Sequence, residues 1–264
     1  MKHAKLFTLA TVLILGISVA GCGNKESSGD NAANAPATHS GGKPVDPTTA
    51  GSVTGIVRFD GMPPKKKAIN MSAVPNCAKL HSEPVMSEEV VPGDSGALQN
   101  VVVYLKGDFS AYYFPPAGAP VKISQNGCIY SPHVAAVMTG DPVEVGNADS
   151  TTHNINVISK SRQGWNETQA QGSAPIQKSF AKEEITLLVK CNIHPWMRFY
   201  LAVLSHPYFQ VTGKDGQFAL RNVPPGTYKL VAWHEEFGAR EQNIVIEPKQ
   251  EKTVSIAFTD GDRR

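Results

Sequence analysis

Cys191-Asn192-Ile193-His194-Pro195-Trp196-Met197 sets one thiol, one imidazole and one thioether in a single short loop. Upstream, His153 stands in Asp149-Ser150-Thr151-Thr152-His153-Asn154, a polar turn that leads into Ile155-Asn156-Val157. Taken together, His153, Cys191, His194 and Met197 are the ligand types of a His₂Cys copper site with a weak axial methionine. Soft sulfur selects copper, and the mixed set suits both Cu(I) and Cu(II), so an ion held there would carry electrons. The plainer reading is that Cys191 and Met197 pack as hydrophobes beside a surface imidazole. The position of His153 favours the ligand set.

Around this loop the sequence has the texture of a β protein. Val53-Thr54-Gly55-Ile56-Val57, Val101-Val102-Val103-Tyr104-Leu105, Ile185-Thr186-Leu187-Leu188-Val189 and Tyr228-Lys229-Leu230-Val231-Ala232-Trp233 are short β-branched and aromatic runs bounded by Gly, Pro and Asp. No long segment carries helical periodicity, although 161–175 has room for a helical turn. The expected fold class is all-β.

The approach Gly140-Asp141-Pro142-Val143-Glu144-Val145-Gly146-Asn147-Ala148-Asp149, the pair His153-Asn154 and the Cys-x-x-His-x-x-Met loop together resemble the cupredoxin family. The loop is similar to the short amicyanin type. The resemblance spans about Val121 to Leu204 and implies a β-sandwich with one type 1 copper held by His153, Cys191, His194 and Met197. Asn154, just after His153, reads either as hydrogen-bonding near the ligand loop and holding the site closed, or as an ordinary turn asparagine. His194, followed by Pro195 and Trp196, would present its ring edge at the surface as an electron port.

Nearer the C-terminus, Val211-Thr212-Gly213-Lys214-Asp215-Gly216-Gln217-Phe218-Ala219-Leu220 and then Asn222-Val223-Pro224-Pro225-Gly226-Thr227-Tyr228 resemble a carboxypeptidase-regulatory-like domain, a prealbumin-type sandwich. Physically this reads as a hairpin with Asp215-Gly216 at its tip, then a Pro-Pro-Gly turn feeding a strand. The early strands of such a domain lie far upstream, at Gly51–Val57, Gly61-Met62-Pro63-Pro64 and Asn100–Leu105. Two arrangements are open. The cupredoxin, 115–205, is inserted in a split sandwich made of 51–114 plus 206–264, or the two domains stand in tandem. A domain's close-set termini make insertion at a loop tip tolerable. The Cys191–Met197 loop, Pro207-Tyr208-Phe209, the Pro225-Gly226-Thr227-Tyr228 turn and Trp233-His234 together also resemble exported proteins labelled methylamine-utilisation-like or plastocyanin-like, a match that spans nearly all of the mature chain. The pair Trp233-His234 reads as strand-end packing.

Residues 1–22 read as an export signal: Lys2 and Lys5 precede an uncharged apolar run, and Val19-Ala20-Gly21-Cys22 resembles a lipobox that would leave Cys22 lipidated. The alternative, an uncleaved anchor, is disfavoured because the run is short of the roughly 20 residues a span needs. Segment 23–50 is polar and small-residue rich, and reads as a flexible tether. The full chain carries 25 basic and 23 acidic residues, so losing Lys2 and Lys5 brings the net charge from +2 to 0. Nucleic acid is therefore not an expected partner. With Cys22 and Cys191 assigned, Cys77 and Cys128 remain. In an exported chain they read as a disulfide, or else, with His81 and His133, as a zinc-type site.

These readings converge on a lipid-anchored carrier in the bacterial cell envelope, on the periplasmic or extracellular face of a membrane. It would shuttle one electron between redox partners such as a c-type cytochrome or a membrane oxidoreductase. The rivals are a copper-binding or copper-delivery protein, a β-sandwich interaction module, and a copper oxidase or nitrite reductase. The first favours clustered methionines, and the six here are scattered. The last needs a second histidine cluster, whereas His81, His133, His206 and His234 are dispersed. No nucleophile–base pair or phosphate loop is visible, and no enzymatic activity is expected.

Overall fold

The computed structural model describes residues 42–264; the signal-like segment, Cys22 and the tether up to residue 41 lie outside the described residues. The strands are, in order, β1 (Gly51–Phe59), β2 (Val102–Lys106), β3 (Val121–Gln125), β4 (Tyr130–Ser131), β5 (Val134–Met138), β6 (Pro142–Asn147), β7 (His153–Ile158) and β8 (Asn166–Gln169). They continue with β9 (Ile176–Ser179), β10 (Glu184–Lys190), β11 (Arg198–Leu204), β12 (Phe209–Val211), β13 (Gln217–Val223), β14 (Gly226–His234), β15 (Gly238–Ile246) and β16 (Glu251–Phe258). A short α-helix, α1 (Pro75–Ala78), and a 3-10 turn at Asp94–Gly96 sit between β1 and β2. The chain is an all-β protein. The stretch 161–175 holds strand β8 rather than a helical turn. Among the described residues no helix is long and apolar enough to cross a membrane.

The strands form four sheets, ordered β13-β1-β16, β12-β2-β14-β15, β5-β11-β10-β7-β8 and β4-β3-β6-β9. The first two enclose one core, with Val57, Leu105, Phe218, Leu230 and Phe258 at its centre. The last two enclose a second, around Ile123, Val145, Ile155, Val189 and Phe199. Period-two alternation decides which side chain enters which core. Along β11, Phe199, Leu201 and Val203 point into the second core. Ala202 and Leu204 point the other way and meet Val102, Val134 and Trp233 in a third cluster between the two sandwiches. Strand β11 is therefore apolar on both faces, as a doubly covered strand must be. Strand β15 is the opposite case. Its Arg240, Glu241, Gln242 and Asn243 are exposed, and charge on an edge strand blocks unwanted pairing.

Strands β3 to β11 thus belong to one sandwich, and β1, β2 and β12 to β16 to the other. Strands β2 and β12 flank the long excursion in sequence and pair antiparallel, with Tyr104 opposite Phe209 and Val102 opposite Val211.

Several expectations need correction. The tether was expected to reach residue 50, but Lys43 already pairs with Tyr112, Val45 packs on the first core, and Lys249 N–H bonds Thr49 O at 3.0 Å. Segment 51–114 does not stay within its own sandwich, because Met71 and Cys77 are buried in the second core. The Asp215-Gly216 tip is a turn, closed by Gly216 N–H to Gly213 O at 2.9 Å, but not a hairpin. Strand β12 pairs with β2 and β13 pairs with β1, so the turn passes the chain from one sheet to the other.

Candidate metal centre

Strand β7 begins at His153, and the loop after β10 carries Cys191, His194 and Met197 before β11 starts. Because β7 and β10 are antiparallel neighbours, with Asn156 opposite Lys190, the start of β7 lies beside the end of β10. Two segments distant in sequence thereby meet. The loop is pinned by Cys191 N–H to Met197 O at 3.0 Å and Met197 N–H to His194 O at 2.9 Å. All four expected ligands are buried.

Ligand atoms of His153, Cys191 and His194 lie within 4.8 Å of one another. The two Nδ1 atoms are 3.0 Å apart, and Cys191 Sγ is 3.6 Å from His194 Nδ1. Two imidazole lone pairs cannot face each other at that distance without a cation between them. A proton can bridge two of these donors; a metal ion can bridge all three. Nitrogen ligands about 2.0 Å and sulfur about 2.3 Å from one ion would sit at comparable separations. A soft thiolate with two imidazoles fits copper. Met197 reaches the same loop through its backbone, and its side chain is buried in the same core as Cys191.

The protonation pattern follows from these contacts. Burial would raise the Cys191 thiol, but a hydrogen bond from His153 and others from the backbone of His194, Asn154 and Ile193 prevail and lower it. Burial would lower His153, but its bonds to Cys191 and Asp149 raise it instead. His194 is lowered, by burial first and then by the neighbouring His153. Without an ion the site thus favours the thiolate on Cys191 and the neutral ring on His194, while His153 is drawn toward its protonated form. A metal would therefore have to displace a proton from His153.

The supporting shell contains one residue that sequence reasoning missed. Asp149 accepts from His153 Nε2 at 2.8 Å, which fixes that ring and leaves Nδ1 to face the other donors. The same carboxylate accepts from Gly127 N–H at 2.6 Å and Cys128 N–H at 2.8 Å. These two residues have φ of +68° and +55°, a left-handed pair that turns successive N–H groups toward one anion. The available signal was the Asp-x-x-x-His spacing in a polar turn. Asn154 does bond to the loop. Its N–H points at Cys191 Sγ at 3.3 Å, its Oδ1 accepts from Asn192 N–H at 3.3 Å, and its amide donates to Asn166 Oδ1 at 2.7 Å.

Cys77 and Cys128 form a disulfide, and Cys191 is the free cysteine among the described residues. The zinc-type alternative fails. His81 Nε2 bonds Gly127 O at 2.7 Å, and His133 is paired with the buried Glu235.

The surface port is also corrected. His194 is 1% exposed, so its ring edge does not face solvent. The Cys77–Cys128 sulfurs lie within 4.8 Å of a His194 ring nitrogen, and the Trp196 ring lies 5.4 Å away, centroid to centroid. The outward-facing residues of the loop are Asn192, Ile193 (46% exposed) and Pro195. Trp196 is half-buried, donates Nε1–H to Cys128 O at 2.9 Å, and borders a cavity of about 540 Å³ with Ile69, Val85, Tyr130 and Arg198. His234 is buried against Phe237, as expected of a packing residue.

Residues 206–259 match the carboxypeptidase regulatory-like domain family. Among solved structures, the chain is similar to a Cu-containing nitrite reductase from Thermus scotoductus SA-01, at 22% identity over 38% of this chain and 25% of that one, with a TM-score of 0.31. It is also similar to an oxidised amicyanin variant, at 18% identity over 33% of this chain and 84% of that one, with a TM-score of 0.29. A third is the purple cupredoxin from Nitrosopumilus maritimus, at 23% identity over 31% of this chain and 98% of that one, with a TM-score of 0.27. This chain thus spans a quarter of the nitrite reductase's length. No curated protein matches the chain.

Proposed function

We propose that this protein is a membrane-tethered, extracytoplasmic one-electron carrier holding a single copper ion through His153, Cys191 and His194, with Met197 as the axial group. The observation that carries this reading is the convergence of three buried donor atoms within 4.8 Å of one another. Bound copper would supply reversible one-electron chemistry. The protein's part is to hold the donors still. Asp149 orients His153, and Asn154 ties the ligand loop to strand β7 and aims an N–H at the Cys191 sulfur. A rigid donor set keeps rearrangement small as charge changes, and hydrogen bonding at the sulfur tunes the potential.

With His194 covered, the Trp196 ring beside it offers the way outward. Ile193 and Pro195 give a small apolar contact suited to brief docking of a redox protein, such as a c-type cytochrome or a membrane oxidoreductase. Val19-Ala20-Gly21-Cys22 supports a lipid anchor. A carrier is favoured over a catalyst. His81, His133 and His206 are each bonded to protein groups and His234 is engaged at Nδ1 alone, whereas an oxidase or nitrite reductase would need several ligands for a second, open metal position.

The test is titration of the purified protein with Cu(II), followed by visible and EPR spectroscopy. A thiolate-to-copper charge-transfer band is expected and should be lost in Cys191→Ser. Equal copper binding without Cys191 would refute the assignment.

A further inference from the structure

The Cys77–Cys128 bridge is not remote from the metal centre. Both sulfurs lie within 4.8 Å of each other and of a His194 nitrogen, and all three residues are buried. Cys77 is delivered by α1, from an excursion of the other sandwich's chain, and Cys128 by the left-handed turn that Asp149 holds.

We propose that, when this bridge is reduced, Cys77 and Cys128 together with His194 form a second soft-metal site that takes Cu(I). The two thiolates are the ligand type that selects Cu(I) over harder ions, and an imidazole completes a three-donor set. The site is prebuilt because contacts independent of the S–S bond hold both cysteines. Cys77 N–H bonds Val74 O at 3.0 Å, and Leu80 N–H bonds Cys77 O at 3.1 Å. Cys128 is held at its N–H by Asp149 and at its carbonyl by Trp196 Nε1. His81 spans the two segments through its bond to Gly127 O. Cutting the bridge therefore leaves the thiols facing each other from Cα positions now 5.6 Å apart.

The chemistry balances with an external dithiol as reductant. Its two thiol hydrogens and two electrons pass to Cys77 and Cys128, one S–S bond breaks, two S–H bonds form, and the donor becomes a disulfide. Cu(I) binding then displaces the thiol protons to solvent. The proposal needs only Cys77, Cys128 and His194. It stands independently of the electron-carrier reading and can be tested with the first ligand set removed.

The experiment uses the full-length Cys191→Ser protein, treated or untreated with a water-soluble phosphine, which breaks the bridge while taking up the oxygen of a water molecule. Each form is loaded with Cu(I) and challenged with a chromogenic Cu(I) chelator. After phosphine, the thiol count should rise from none to two, leaving Cys22 aside if lipidated. One Cu(I) per chain should then be retained at a chelator concentration at least tenfold above the level that strips the untreated form. Adding Cys77→Ser should abolish the gain. Equal retention in both redox states, or a gain that survives Cys77→Ser, overturns the proposal. If circular dichroism shows Cys191→Ser to be unfolded, His153→Gln disables the first ligand set instead; its thiol count should rise from one to three, and the retention outcomes are the same.

Discussion

Removing the Asp149 carboxylate should weaken metal binding, and more in Asp149→Ala than in Asp149→Asn. The Asp149 carboxylate accepts from three donors, His153 Nε2, Gly127 N–H and Cys128 N–H, at 2.6–2.8 Å. An asparagine offers one acceptor oxygen and one donor amide, so in either flip orientation the amide N–H₂ faces a donor. If it faces His153, the ring is driven to the tautomer with its proton on Nδ1, the nitrogen that must meet the ion. Loss of such an orienting partner typically costs 10–100-fold in metal affinity, about 1.4–2.7 kcal/mol. If the amide faces Gly127 instead, one buried N–H is left unpaired at about 1–3 kcal/mol of stability. The two orientations therefore predict different readouts, and competitive copper titration paired with urea unfolding at neutral pH separates them. An amide oxygen left at the position shared by His153 and Cys128 keeps two of the three bonds, so Asp149→Asn should lose mainly stability, whereas Asp149→Ala, with no acceptor in any orientation, should lose affinity. Affinity of Asp149→Ala within about threefold of the unmutated protein would fall below the range for an orienting carboxylate and would refute this role for Asp149.

Two further outcomes follow from other residues. Met197→Leu should keep the copper and raise the reduction potential, since an axial thioether is a weak ligand. Its effect on stability should stay below about 1.5 kcal/mol because the volumes match; loss of copper would show that the thioether is a primary ligand. His234 is pushed down to about 3, by burial and then by His133, so the unfolded state takes up its proton first as pH falls. Stability is thus unaffected by this group above about pH 6.5 and drains away between there and about pH 3, by on the order of 4–5 kcal/mol in total. His234→Asn keeps an acceptor for Glu236 N–H and should flatten the loss of urea midpoint between pH 7.5 and 5. An unchanged slope would exclude His234 as the acid-sensitive group.

The all-β class and the candidate donor residues were legible because both are local signals. The β-branched runs at 53–57, 101–105, 185–189 and 228–233 became β1, β2, β10 and β14, since period-two patterning reports one-sided burial directly. The spacing of Cys191, His194 and Met197 fixed a loop, and the polar turn before His153 fixed its partner. The Asp215-Gly216 turn was legible too, but its strand partners were not. A turn sequence sets a local reversal of the chain, while long-range burial decides which sheet each arm joins. The three-residue β12 is claimed by β2, and β13 by β1.

What stayed hidden is the part of the site contributed from outside the ligand motif. Nothing around His194 says that its ring will be covered, because the cover comes from α1, more than a hundred residues upstream, and from the turn at Gly127-Cys128. The reach of that excursion explains the cysteine pair. A bridge closing a sequence separation of 51 residues removes about 4 kcal/mol of denatured-state entropy in the chain-entropy model. It does so where a stray segment would otherwise leave the metal loop open to water. Asp149 then couples the bridge to the ligands, since one carboxylate oxygen serves both Cys128 N–H and His153 Nε2. A change at Cys77 or Cys128 is thus transmitted to His153 through two hydrogen bonds and to His194 by direct contact. The metal centre is set as much by the residues that cover it as by those that would bind the ion.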